Sequence, residues 1–141
     1  MGKLKGLLIL IAFVFIFTSC DDKNDAIFLE NETVIIDNNL YKETATNNYT
    51  ITNVKLNGNL LTIKISASGC DGNSWKAILV DANEILESSP VQRNIKLSLE
   101  NKELCLAVFE REFTFDLSIL KEDFSDLFLN LEGWNSQIYY N

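Results

Sequence analysis

The sequence predicts an all-β fold, an antiparallel β-sandwich of about eight strands over residues 31–141. Three observations predict it. Short apolar segments recur at intervals of about ten residues, as in small antiparallel β domains. Several of them alternate apolar and polar residues with period two, the mark of a strand with one face in water. Clusters of Asn, Asp and Gly separate them, and these residues accept the left-handed dihedrals of tight turns. Helical spacing of apolar residues is scarce. One open sheet of this many strands would leave an apolar face in water, so two packed sheets are expected. A closed barrel with an internal cavity satisfies the same strand count.

In chain order, residues 33–36 and 40–44 read as two short strands, paired in a hairpin around the turn formers Asp37, Asn38 and Asn39. Residues 49–56 and 60–67 flank Asn57, Gly58 and Asn59. The second arm sets Leu61, Ile63, Ile65 and Ala67 on one face and Thr62, Lys64 and Ser66 on the other, which makes this the clearest hairpin in the chain. Residues 75–80 are apolar and bounded by turn residues at 69–74 and 81–83, so a central strand is expected there. Ile95, Leu97 and Leu99 alternate with Lys96 and Ser98.

The longest strand is expected over residues 104–115, central in its sheet. Cys105, Ala107, Phe109, Arg111, Phe113 and Phe115 would share one face, with the phenylalanines buried beside Ile63, Ile65 or Trp75. Residues 117–126 allow a helical turn or two, Leu127, Leu129 and Leu131 alternate again, and residues 138–140 close the last edge. Ahead of all these, residues 20–30 read as a polar, acidic tether whose one apolar patch, Ala26, Ile27, Phe28 and Leu29, is expected as a first edge strand.

The chain begins with Lys3 and Lys5, continues through an unbroken apolar run at residues 7–17, and reaches Thr18, Ser19 and Cys20. This is the layout of a secretory signal. The run is too short to span roughly 30 Å of hydrocarbon stably, and it has no polar face with which to pack on a soluble core. Phe17, Thr18, Ser19 and Cys20 resemble the lipobox of bacterial lipoprotein signal peptides, a large apolar residue three before an invariant cysteine with small residues between. Phe17 stands where that family prefers Leu, and Thr18 where it prefers Ala or Ser; both keep the size pattern.

The resemblance implies that residues 1–19 are a signal peptide, that Cys20 is the lipidation site, and that cleavage before it leaves a domain tethered to a membrane by its acyl chains. At about 0.8 kcal/mol per buried CH₂, two or three chains make a lasting anchor. Asp21, Asp22 and Asp25 resemble inner-membrane retention signals of some bacteria and surface-export signals of others. The outer membrane is the expected address.

Removing residues 1–19 leaves 122 residues, enough for one core. Ten basic residues then face twenty acidic ones, a net charge of about −10. That disfavours nucleic acid as a partner and docking on anionic headgroups through a basic patch. Histidine is absent, which removes Ser-His-Asp and Cys-His mechanisms, His-containing zinc sites and histidine pH switches together.

With Cys20 lipidated, Cys70 and Cys105 remain as an even pair in an exported chain and are expected to form a disulfide. A carboxylate pair is the one common catalytic device left. In so acidic a chain two neighbouring acids are expected by chance, and no glycosidase pair follows from the sequence. No enzyme activity, cofactor or metal is expected.

Ser68 through Trp75, with Leu104, Cys105 and Phe113 through Leu117, resemble a family of small bacterial lipoproteins without assigned activity, over most of residues 49–120. The resemblance implies no functional residue. Trp75 lies only five residues after Cys70, closer than the core Trp of immunoglobulin domains lies to its cysteine. Asp71, Asn73, Asp81, Asn83 and Glu84 offer oxygen ligands of the kind calcium takes, at a spacing that matches no calcium loop; turn chemistry accounts for them. The triplets at Asn31 and Asn48 match a glycosylation sequon by chance in a chain with 16 Asn.

Trp134, Tyr139 and Tyr140 are candidate ligand-binding aromatics, able to stack on sugar rings, whereas Trp75 is expected in the core. The sequence therefore points to a lipid-anchored cell-envelope interaction or structural module without catalysis, with an envelope protein as partner. The alternative is a glycan- or small-ligand-binding surface lipoprotein, and the third reading is a carboxylate-dependent hydrolase.

Overall fold

The computed structural model describes residues 32–121 and 124–141. The expected signal peptide at residues 1–19, the expected lipidation site Cys20, the expected tether at residues 20–30 and the edge strand expected at residues 26–29 lie outside the described residues. Within them the element order is β1 (Val34–Ile36), α1 (Asn38–Glu43), β2 (Thr50–Asn57), β3 (Leu60–Gly69), β4 (Lys76–Leu86), β5 (Val91–Glu100), β6 (Ala107–Asp116), a 3₁₀ turn at Ser118–Leu120, β7 (Leu127–Leu131) and β8 (Ile138–Tyr140). The eight strands form two sheets, ordered β2-β3-β6 and β1-β4-β5-β7-β8.

The three-stranded sheet is antiparallel. The larger one is mixed, because β1 runs parallel to β4 and β5 parallel to β7. This corrects the purely antiparallel expectation. The chain leaves the larger sheet after β1 to build β2 and β3, and again after β5 to build β6, so these partners are joined by excursions rather than tight turns. A two-residue hairpin forces opposite directions; a long connection does not.

The inward faces of both sheets contribute to one hydrophobic cluster. It includes Leu61, Ile63 and Ile65 of β3, Phe113 and Phe115 of β6, Leu79 of β4, Ile95 and Leu97 of β5, Leu127 and Leu129 of β7, and Tyr140 of β8. The expected alternation of β3, β5 and β7 is found, with the apolar set inward in each. The β2–β3 hairpin also forms as read, closing with Asn57 opposite Leu60 and with Gly58 in the left-handed region at φ 57°.

The expected strand at residues 40–44 is instead helix α1. Asp37 caps it, its carboxylate accepting from the Leu40 N–H at 2.8 Å, and the Thr44 hydroxyl donates to the Leu40 carbonyl at 2.7 Å. Asp serves turns and helix N-caps alike, so local sequence left the choice open. Contact with β4 decides it. Asn38 Nδ2 donates to the Ala82 carbonyl and to Glu84 Oε1, both at 2.8 Å, and the helix packs on β4, whose Val80 and Ala82 are buried.

Two further expectations are corrected. Residues 81–83 do not end the fourth strand; they form an irregularity inside β4, between Asp81 and Ile85, with Asn83 at φ 53°. β6 is not central, since β3 lies between it and β2, and it starts at Ala107 rather than at residue 104. Phe113 stands opposite Ile63 and is buried with Phe115, as expected, but Phe109 is only partly buried. Residues 104–106 lie outside the ladder, with Cys105 bonded to Cys70 in the loop that follows β3.

Candidate functional site

The antiparallel rung between Gly69 and Ala107 is the last of the β3–β6 ladder, and it leaves Cys70 and Cys105 just beyond, with Cα atoms 4.8 Å apart. They are joined as the expected disulfide. Beside it, Glu103 Oε2 accepts from the backbone N–H groups of Cys70, Asp71 and Gly72 at 2.6, 3.2 and 3.0 Å, while Oε1 accepts from the Ser74 hydroxyl at 2.6 Å. Successive N–H groups of this kind form an anion-binding nest; here the chain's own carboxylate fills it.

The Ser74 hydroxyl, aided by the Gly72, Cys70 and Asp71 N–H groups, holds the Glu103 carboxyl down at about 2. Gly69 is needed for the close approach: a Cβ there would lie 2.4 Å from Glu103 Oε2 and 2.8 Å from the Trp75 ring. Asn101 completes the staple, accepting from the Glu103 N–H at 2.9 Å and donating to the Ser68 carbonyl at 2.7 Å. Trp75 is buried beneath the loop, as expected, and its indole N–H has no hydrogen-bond partner.

This stapled end carries two surface features. Leu104, Leu106 and Val108 are 94%, 90% and 68% exposed, an apolar strip rare on a charged surface. Next to it a shallow groove of about 280 Å³ is lined by Asn47, Asn48, Thr50, Ser66, Ser68 and Val108, among others. Its walls offer hydroxyls and side-chain amides as hydrogen-bonding groups. Tyr49 and Asn48 tie the groove to β5, donating to the carbonyls of Leu97 at 2.6 Å and Leu99 at 3.1 Å. Burial, and then the charge of Glu132, push the Tyr49 hydroxyl above its ordinary range.

The sequence-predicted aromatics do not share one surface. Tyr140 faces inward, fully buried, its hydroxyl donating to Asn59 Oδ1 at 2.9 Å. Trp134 is partly buried against the core. Tyr139 points outward, 49% exposed, with its ring centroid 5.3 Å from that of Phe128 and its hydroxyl donating to Asp126 at 3.2 Å. On the same outer face Asn130 Nδ2 donates to Gln92 at 3.1 Å and Asn94 at 3.0 Å, and Gln137 Nε2 donates to Gln92 at 2.9 Å and Asn130 at 3.0 Å. Phe128 and these amides were missed in the sequence. The alternation of residues 127–131 was the signal that sets Phe128 and Asn130 outward.

The calcium-type oxygens are not brought together. Asp71 lies in the loop before β4 and Asp81 in the middle of that strand, and among the described residues no group of three or more acidic, Cys or His side chains is arranged to hold a metal. Asp81, fully buried, is bound bidentately by Arg93, at 2.6 Å to Nη2 and 2.9 Å to Nε, and also accepts from the Asn83 N–H at 2.8 Å. Asp71 accepts from the Asn73 N–H at 2.8 Å. Sequence reasoning missed the buried pair because Asp81 reads locally as a turn residue.

No protein-family model matches the chain, and no curated protein matches it in sequence. Two solved structures share the fold. One is a Bacteroides vulgatus protein of unknown function, DUF1344, with a TM-score of 0.51 and 11% identity over 78% of this chain and 55% of that one. The other, from Parabacteroides distasonis, is described provisionally as toxin-related, with a TM-score of 0.50 and 15% identity over 78% of this chain and 61% of that one. The chain thus spans between about half and three fifths of the proteins it resembles.

Proposed function

We propose that the protein is a lipid-anchored module of the bacterial cell envelope that works by binding and not by catalysis, held by acyl chains on Cys20 in the outer membrane. The observation that carries this reading is the stapled end of the domain. The Cys70–Cys105 bond suits a compartment outside the cytoplasm, and it fixes an exposed apolar strip beside a polar groove. The conspicuous carboxylates serve the fold: Asp81 balances Arg93, and Glu103 fills its own nest. Crosslinking in intact cells tests the reading. Recovery of the protein in envelope complexes, weakened by Ser66→Trp in the groove, supports it; recovery only as a free cytoplasmic monomer contradicts it.

A second reading, binding of a glycan or small ligand, is favoured by the outer face of β7 and β8, where the Phe128–Tyr139 ring pair borders the amides of Gln92, Asn94, Asn130 and Gln137. An aromatic beside planar amides suits the apolar face and hydroxyls of a sugar. Glycan-array binding lost in Tyr139→Ala supports it, and no binding by the wild-type chain removes it.

A further inference from the structure

The strip of Leu104, Leu106 and Val108 lacks a covering within the described domain, although the loop beneath it is fastened by a disulfide and by the hydrogen bonds to Glu103. A mobile loop could fold its leucines away. This one holds them out.

Where the chain enters the domain gives the strip an orientation. The Glu32 N–H donates to the Thr114 carbonyl at 2.8 Å, and Glu32 pairs with Phe115 in a parallel bridge. The chain at Glu32 therefore runs in the same direction as β6. Cys20 stands twelve residues before Glu32, and Leu104 eleven residues before Phe115. At up to about 3.3 Å per residue, a segment of that length can reach from Glu32 to the level of Leu104.

We infer that the stapled end is the membrane-facing end of the domain and that Leu104, Leu106 and Val108 dock into the leaflet that holds the acyl chains. The inference rests on the lipid-anchor reading above. The occupant is a largely zwitterionic lipid surface, because the mature chain carries a net charge of about −10, which anionic headgroups would repel. Lys102, two residues before Leu104, exposed and paired with Glu100, would meet the lipid phosphates in this orientation. The polar groove beside Val108 then opens along the membrane surface, where a neighbouring anchored protein would meet it.

The test uses the full lipidated protein in vesicles of phosphatidylethanolamine and brominated phosphatidylcholine, with tryptophan fluorescence as the readout. Two variants are compared with wild type, whose native Trp75 and Trp134 set the background. Leu106→Trp puts a reporter on the strip. Lys55→Trp puts one on an exposed position of β2 whose neighbour in β3, Thr62, pairs with Thr114, at the far end of the sheet.

The expected result is loss of the added emission for Leu106→Trp and none for Lys55→Trp. Equal emission from both, in protein that carries acyl label and floats with the vesicles, overturns the docking while leaving the anchor intact. Protein without acyl label that does not float overturns the anchor, and the docking with it. A blue shift of Leu106→Trp that grows with protein concentration in the absence of vesicles assigns the strip to a second copy of the chain and overturns the inference.

Discussion

Asp81→Ala removes one half of an ion pair in which Asp81 is fully buried and Arg93 is 8% exposed. Such a substitution leaves a guanidinium in a low-dielectric interior without its counter-charge, and breaking a buried pair in this way costs about 3–5 kcal/mol. The Asn83 N–H also loses its acceptor, about 1 kcal/mol more. Against a total stability on the order of 5–15 kcal/mol for a domain, this is a large fraction. Replacing both partners, in Asp81→Leu with Arg93→Met, removes the charges together and should recover most of the loss, because the desolvation cost disappears with the attraction.

Urea unfolding of the mature chain carrying Cys20→Ser measures both. With a slope of about 2 kcal/mol per molar, a 4 kcal/mol loss moves the midpoint by about 2 M. A cost below about 1 kcal/mol for the single variant, the scale of an exposed pair, would refute the reasoning. So would a double variant as unstable as the single one.

Three other outcomes follow from the packing and the stapled loop. Replacing Cys70 and Cys105 together by Ser opens a bridge with a sequence separation of 35, and the chain-entropy model gives a loss of about 4 kcal/mol, read by the same denaturation. Phe113→Ala, opposite Ile63 in the core, should cost about 3–5 kcal/mol, whereas Leu106→Ala, 90% exposed, should stay within about 0.5 kcal/mol of wild type. Glu103 ionises at about 2 in the fold against 4.5 for the free side chain. Its stabilisation is therefore full above pH 4.5 and lost as the pH falls toward 2. Thermal melts should show wild type more stable than Glu103→Gln at neutral pH, with the gap closing over that window; a constant gap would contradict the nest.

What was legible in the sequence is what neighbouring residues decide together. The alternation of Leu61, Ile63 and Ile65 against Thr62 and Lys64 names both a strand and its buried face, and the Gly58 turn names its partner. The cysteine pair was readable because the chain offers few cysteines to pair. The parallel pairings of β1 with β4 and β5 with β7 were not readable, since no short-range signal links strands separated by an excursion into the other sheet. Asp37 and Asp81 misled for one reason: an Asp in a polar cluster looks like a turn whether it caps a helix or neutralises a buried Arg. Of the candidate site, the aromatics were visible, but pairing Tyr139 with Phe128 and burying Tyr140 required knowing which face of β8 meets the core.

Whether lipid at Cys20 holds the protein in the envelope is read by metabolic labelling of wild type and of Cys20→Ala with a fatty-acid analogue in a bacterial host. Label is expected in the membrane fraction on a wild-type chain shortened by residues 1–19, and an unlabelled, uncleaved precursor for Cys20→Ala. Label persisting on the variant, or a wild-type chain that is neither labelled nor shortened, would contradict the lipid anchor.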